Sequence, residues 1–166
     1  MLKNVGAEYI ILGHSENRHD GDTNLQIKKK IESALKANLK VIFCVGETYK
    51  QKKNKKTFIS IKKQILESID KKFNFNNILI AYEPVWSIGS GRIPKSLELN
   101  QVIKFIKKES KKLFKMKKYP FVLYGGSVND KNISIFSAIT EIDGFLIGGA
   151  SQTPKKFIDI IKNYYK

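Results

Sequence analysis

Ala81-Tyr82-Glu83-Pro84-Val85-Trp86-Ser87-Ile88-Gly89-Ser90-Gly91-Arg92 is the stretch on which the reading of this chain turns. The apolar run that leads into it, residues 78–82, has the composition of a buried strand and delivers one carboxylate, Glu83, at its end. Pro84 has no N–H to give to a ladder, so the strand stops there. Residues 85–88 are apolar apart from one serine, and Gly89-Ser90-Gly91 follows. An apolar segment between a proline and a glycine pair suits a lid that is stiff in the middle, turns at its ends and excludes water. Carboxylate, water-excluding loop and a turn rich in backbone N–H groups together make a plan for removing a proton from an anionic substrate.

On either side, the pattern repeats strand and helix. Residues 8–12, 40–45, 78–82, 121–124 and 144–147 read as strands. Residues 1–6 read as the tail of a helix or its exit turn. Thr23 or Asn24 caps a helix whose apolar side is Leu25, Ile27, Ile31 and Leu35. Residues 57–73 keep a helical period through Phe58, Ile61, Ile65 and Ile69, and residues 74–77 are a loop. Ser96 caps the next helix, with Leu99, Val102, Ile103, Ile106 and Leu113 inward. A helix over 132–138 and a last one opened by Pro154, carrying Phe157, Ile158, Ile161 and Tyr164, complete the chain. Connections of this length make the sheet parallel. Every conspicuous motif ends a strand, where parallel β/α proteins hold their active sites. The pattern by itself leaves two architectures open, a doubly wound sheet and part of a barrel.

Composition bounds the function. At 166 residues, with no linker or composition shift, the whole of 1–166 is expected to be a single domain. No apolar run reaches about 18 residues, and the start lacks the long apolar core of a signal peptide, so a cytoplasmic protein without a membrane partner is expected. One cysteine, Cys44, excludes an internal disulfide, and its apolar surroundings mark a buried, inert thiol. The net charge of +16 raises the question of nucleic acid. However, only Arg18 and Arg92 among the 31 basic residues are arginine, the side chain suited to phosphate-backbone and base recognition. The lysines are scattered over polar faces, so no nucleic-acid partner is expected.

Residues 81–92 resemble the catalytic-glutamate strand end and flexible loop of the triosephosphate isomerase family. Gly13-His14-Ser15-Glu16 resembles its histidine strand end. Leu123-Tyr124-Gly125-Gly126-Ser127-Val128 and Asp143-Gly144-Phe145-Leu146-Ile147-Gly148-Gly149-Ala150-Ser151 resemble its last two. The resemblance implies a (β/α)8 barrel, here only its last five βα units, strands four to eight, as a partial, open barrel with an apolar inner face partly uncovered. It implies interconversion of dihydroxyacetone phosphate and glyceraldehyde 3-phosphate through an enediol(ate), a step of glycolysis and gluconeogenesis that needs no cofactor or metal. Glu83 becomes the base and His14 the electrophile; Gly89, Ser127, Gly148 and Gly149 become the amides that bind the substrate phosphate. Without the resemblance, His14 reads rather as a histidine bonded to a backbone carbonyl. Trp86 and Tyr124 resemble hinge and latch packing for the lid, or are ordinary core aromatics. Glu16 resembles a second glutamate beside the histidine, and Asn17 stands where the family often has arginine.

A full barrel of this class needs about 250 residues. The first-strand asparagine and lysine that contact substrate in the family, and the long loop through which its homodimers interlock, fall outside what these residues resemble. The alternative is therefore a catalytically inactive, phosphate-binding fragment.

Overall fold

A computed structural model describes residues 2–165; Met1, part of the expected helix exit, lies outside the described residues. Five strands form one sheet in chain order: β1 (Tyr9–Leu12), β2 (Lys40–Val45), β3 (Ile78–Tyr82), β4 (Val122–Tyr124) and β5 (Gly144–Phe145). All four pairings are parallel. β1 and β5 each pair on one side only, so the sheet is open, as expected of a partial barrel.

Register divides the strand residues into two faces. On the outer face, Leu12, Phe43, Ile80 and Val122 form one row and Val45, Tyr82 and Tyr124 the next; all are buried. The helices cover this face: α2 (Asn24–Lys36), α4 (Thr57–Ser68) and α5 (Ser96–Leu113), through Ile27, Ile31, Ile61, Ile65, Ile103 and Ile106. The inner face carries Ile11, Ile42 and Leu79 in register, then Cys44, Ala81 and Leu123. Its edge is uncovered, with Tyr9 and Ile11 each 45% exposed.

Several local expectations need correction. Leu25 is exposed, and the buried side of α2 is Ile27, Ile31 and Ala34. The cap of α2 is Thr23, in a reciprocal capping box with Gln26. The helix expected over 57–73 ends at Ser68, because Asp70 takes the Lys72 N–H and pairs with Lys28, a local alternative to helix. Ser96 is the first residue of α5 rather than its cap; Lys95 holds that place without a side-chain bond. Residues 74–77 contain a 3-10 turn, and the helix expected over 132–138 is a 3-10 helix, Ile133–Ala138. Its buried residues, Ile133 and Phe136, are three apart, which suits a three-residue turn. Phe121 precedes β4 and is exposed, and β5 ends at Phe145. Two five-residue helices, α1 (Ser15–His19) and α3 (Tyr49–Lys53), have no counterpart in the sequence reading. In the last helix, α6 (Pro154–Tyr164), only Ile160 is buried; Phe157, Ile158 and Ile161 are exposed because none of the described residues packs beyond β5.

Candidate active site

Parallel strands all point their C-terminal ends the same way, so residues just after each strand converge. A cleft of about 530 Å³ opens there, and His14, Glu83, Gly89, Ser127, Gly148 and Gly149 all line it. All six residues singled out in the sequence thus share one cavity, together with Glu16 and Ile88. Among the described residues, no lysine or arginine lines it.

Glu83 is carried by the ladder one step past β3, its N–H bonding to Val45 O at 2.8 Å. The side chain is 4% exposed, and its Oε1 stands 3.4 Å from His14 Nε2. Oε2 is buried with no hydrogen-bond partner among the described residues. Burial therefore pushes the Glu83 carboxyl above the ordinary carboxylate range; His14, the Cys44 thiol, the Ser15 N–H and Arg18 pull it back only in part. Cys44 is buried as expected, and burial beside Glu83 raises its thiol well above the usual value. His14 is the N-cap of α1, and its Nδ1 accepts the Glu16 N–H at 3.4 Å. With Nδ1 accepting, Nε2 is the nitrogen left to present an N–H toward Glu83 and the cleft. Among the described residues, the His14 ring makes no hydrogen bond to a backbone carbonyl.

The lid, residues 85–91, closes on itself through Ser87 N–H to Pro84 O at 2.8 Å and Ser90 Oγ to Trp86 O at 2.9 Å. Gly89 and Gly91 both adopt positive φ, +64° and +72°, which lets the chain reverse there. Trp86 is tied down by a residue to which the sequence alone gives no role. Glu47, just after β2, is 1% exposed and accepts from Trp86 Nε1 at 2.8 Å and Tyr82 Oη at 3.2 Å. Burial raises the Glu47 carboxyl, the two donors opposing it. Lys52 of α3 lies over the Trp86 ring, 4.0 Å from its centroid. Arg18, also unassigned from sequence, bonds Gly13 O at 2.7 Å, Cys44 O at 3.1 Å and Asn24 at 2.6 Å, locking the ends of β1 and β2 together. The only sequence signal for Glu47 was a Gly-Glu pair at a strand end.

Gly46 sets the height of the base. A Cβ there would collide with the main-chain carbonyl of Glu83, which cannot swing aside as a side chain could. Gly46→Ala should destabilise the fold by about 3 kcal/mol, the upper end for forced overpacking, as read by urea denaturation. A loss below about 0.5 kcal/mol, the range of a neutral surface change, would show that the backbone yields there.

A parallel sheet in chain order, covered by helices and with its cleft at the strand C-terminal ends, is the architecture of the (β/α)8 barrel enzymes. The comparisons are specific within that class. The family model described as triosephosphate isomerase matches residues 1–164. Triosephosphate isomerase of Dictyoglomus thermophilum is 42% identical over 98% of this chain and 68% of its own length. That of Yarrowia lipolytica is 41% identical over 98% of this chain and 66% of its own. The crystal structure of the Bartonella henselae enzyme superposes with a TM-score of 0.89 at 33% identity, covering 99% of this chain and 68% of that one. The chain belongs to the triosephosphate isomerase family, and spans about two thirds of the length of these relatives.

Proposed function

We propose that Glu83 and His14 carry out the family's isomerisation of dihydroxyacetone phosphate and glyceraldehyde 3-phosphate. The observation that supports the roles most is the Glu83 carboxylate itself, buried, with one oxygen unpartnered and the other 3.4 Å from His14 Nε2. Burial that raises its proton affinity suits a base that must act near neutral pH. Glu83 takes a proton from C1 of dihydroxyacetone phosphate; the C–H pair becomes the C1=C2 bond, and charge moves to the C2 oxygen. His14 donates its Nε2 proton to that oxygen and recovers one from the C1 hydroxyl. Glu83 then returns the proton to C2. Division of this work between a glutamate and a neutral histidine has this family as its standard example. Atoms and electrons balance within one substrate molecule, so no redox partner enters. The N–H groups of Gly89, Ser127, Gly148 and Gly149 are assigned to the substrate phosphate, which glycine lets approach the backbone closely. A cytoplasmic setting goes with a glycolytic substrate.

Incubation with dihydroxyacetone phosphate in D2O tests this. Solvent deuterium should enter the carbon-bound C1 position, followed by proton NMR, faster than in buffer. His14→Gln, which keeps a donor but cannot relay a proton, should slow it by roughly a hundred-fold. Exchange no faster than buffer, from this chain and from one completed to barrel length alike, would overturn the assignment.

A further inference from the structure

The proposed chemistry leaves one wholly buried polar group of the lid without a task. Ser87 has no exposed surface, although it sits among exposed lid residues such as Val85, Gly89 and Ser90. A serine hydroxyl has one proton to give and two lone pairs to fill. The proton is directed at Arg92 O, 2.5 Å away and one residue past the far end of the lid. One lone pair accepts the Ser127 N–H at 3.3 Å, across 40 residues of sequence. The other faces Tyr124 Oη at 3.1 Å; since the Ser87 proton is committed, Tyr124 is the donor. The hydroxyl is saturated, and its three partners come from the residue after the lid, the end of β4 and the turn after it. Tyr124 is fully buried, and its hydroxyl has no other hydrogen-bond partner among the described residues. The backbone is shaped around this pair, because a Cβ on Gly126 would collide with both hydroxyls.

We propose that Ser87 is the positioning residue of the lid: its hydroxyl latches residues 85–91 to the β4 turn and holds the Ser127 N–H, which it hands to the phosphate of the arriving substrate. The hand-over rests on the assignment of the Ser127 N–H to phosphate given above; the latch itself does not. Binding and lid movement are then one event, because the amide cannot serve the hydroxyl and the phosphate at once. Ile88 and Gly89, which line the cleft from the lid, move with the hydroxyl that pins them.

The test compares the full chain with Ser87→Ala and with Ser87→Ala/Tyr124→Phe. The double variant removes the buried Tyr124 hydroxyl that the single change would orphan, and keeps the experiment informative if the single variant folds poorly. Two readouts need no turnover: hydrogen–deuterium exchange at the Ser127 amide, and acrylamide quenching of Trp86, the sole tryptophan. Without phosphate, the Ser127 amide should exchange roughly five- to ten-fold faster in both variants, the weight of one hydrogen bond, and Trp86 should be quenched more strongly. Added inorganic phosphate should restore protection of that amide in the variants. Unchanged exchange and unchanged quenching in the double variant would overturn the latch. Faster exchange that phosphate fails to reverse would leave the latch standing and overturn the phosphate role of Ser127.

Discussion

Expressed on its own, the 166-residue chain should isomerise triose phosphates roughly a hundred- to a thousand-fold more slowly than the same chain joined to an N-terminal segment of about 85 residues from a relative. The cleft explains the size of the effect. It offers amides, a histidine and two glutamates, but none of its lining residues is a lysine or arginine, in a chain with 31 of them. A phosphorylated substrate brings negative charge, and proton removal adds more. Loss of one preorganised donor at such a site costs about 3–4 kcal/mol in the barrier. The uncovered edges add to this, because Tyr9 and Ile11 on one side and Ile158 and Ile161 on the other present apolar surface to water. The isolated chain should therefore also self-associate at micromolar concentration, visible by light scattering. Initial rates measured side by side at matched monomer concentration settle the matter. Equal rates would show that positive charge reaches the substrate from elsewhere, or is not needed.

What the sequence made legible was set by how local each signal is. Glu83, Gly89 and the lid are neighbours along the chain, so one stretch displayed a strand end, a proline stop and a glycine turn together. His14, Ser127 and the Gly148-Gly149 pair were legible because parallel strands bring their C-terminal ends to one rim whatever their separation in sequence. Residues whose work depends on a distant partner were not. Nothing around Ser87 announces that Tyr124 and Ser127 will meet it, 37 and 40 residues away. Glu47 similarly acquires its role only when Trp86 folds back onto it. The helices α1 and α3 escaped because five residues are too few to establish a period, although the Thr48–Gln51 capping box before α3 is a readable signature. Apolar spacing in α6 marked Phe157, Ile158 and Ile161 as an apolar face, but spacing says nothing of whether another element will cover it.

Glu83→Gln should abolish most catalysis and at the same time stabilise the fold. On the rate, glutamine keeps the shape but cannot take a carbon proton, so turnover in the completed barrel should fall by roughly a thousand-fold, within the usual range for a general base. On stability, the direction follows from linkage. Burial raises the folded carboxyl above its ordinary value, so the folded chain binds this proton more tightly than the unfolded chain. Stability contributed by Glu83 is therefore greatest when the group is protonated. It falls as pH climbs from the ordinary carboxylate value toward the raised folded one. Glutamine, neutral throughout, escapes that loss. At pH 7 the variant should be more stable than the native chain by about 1–3 kcal/mol, the cost of a buried polar group left unpaired, as Oε2 is. Near pH 4 the two should converge, since native Glu83 is then protonated as well. Urea denaturation of the chain at the two pH values reads the difference directly. A variant less stable than native at pH 7, with a gap that does not change toward pH 4, would mean that the ionised carboxylate has good partners in the fold. The case for a base held at a cost to stability would then fail.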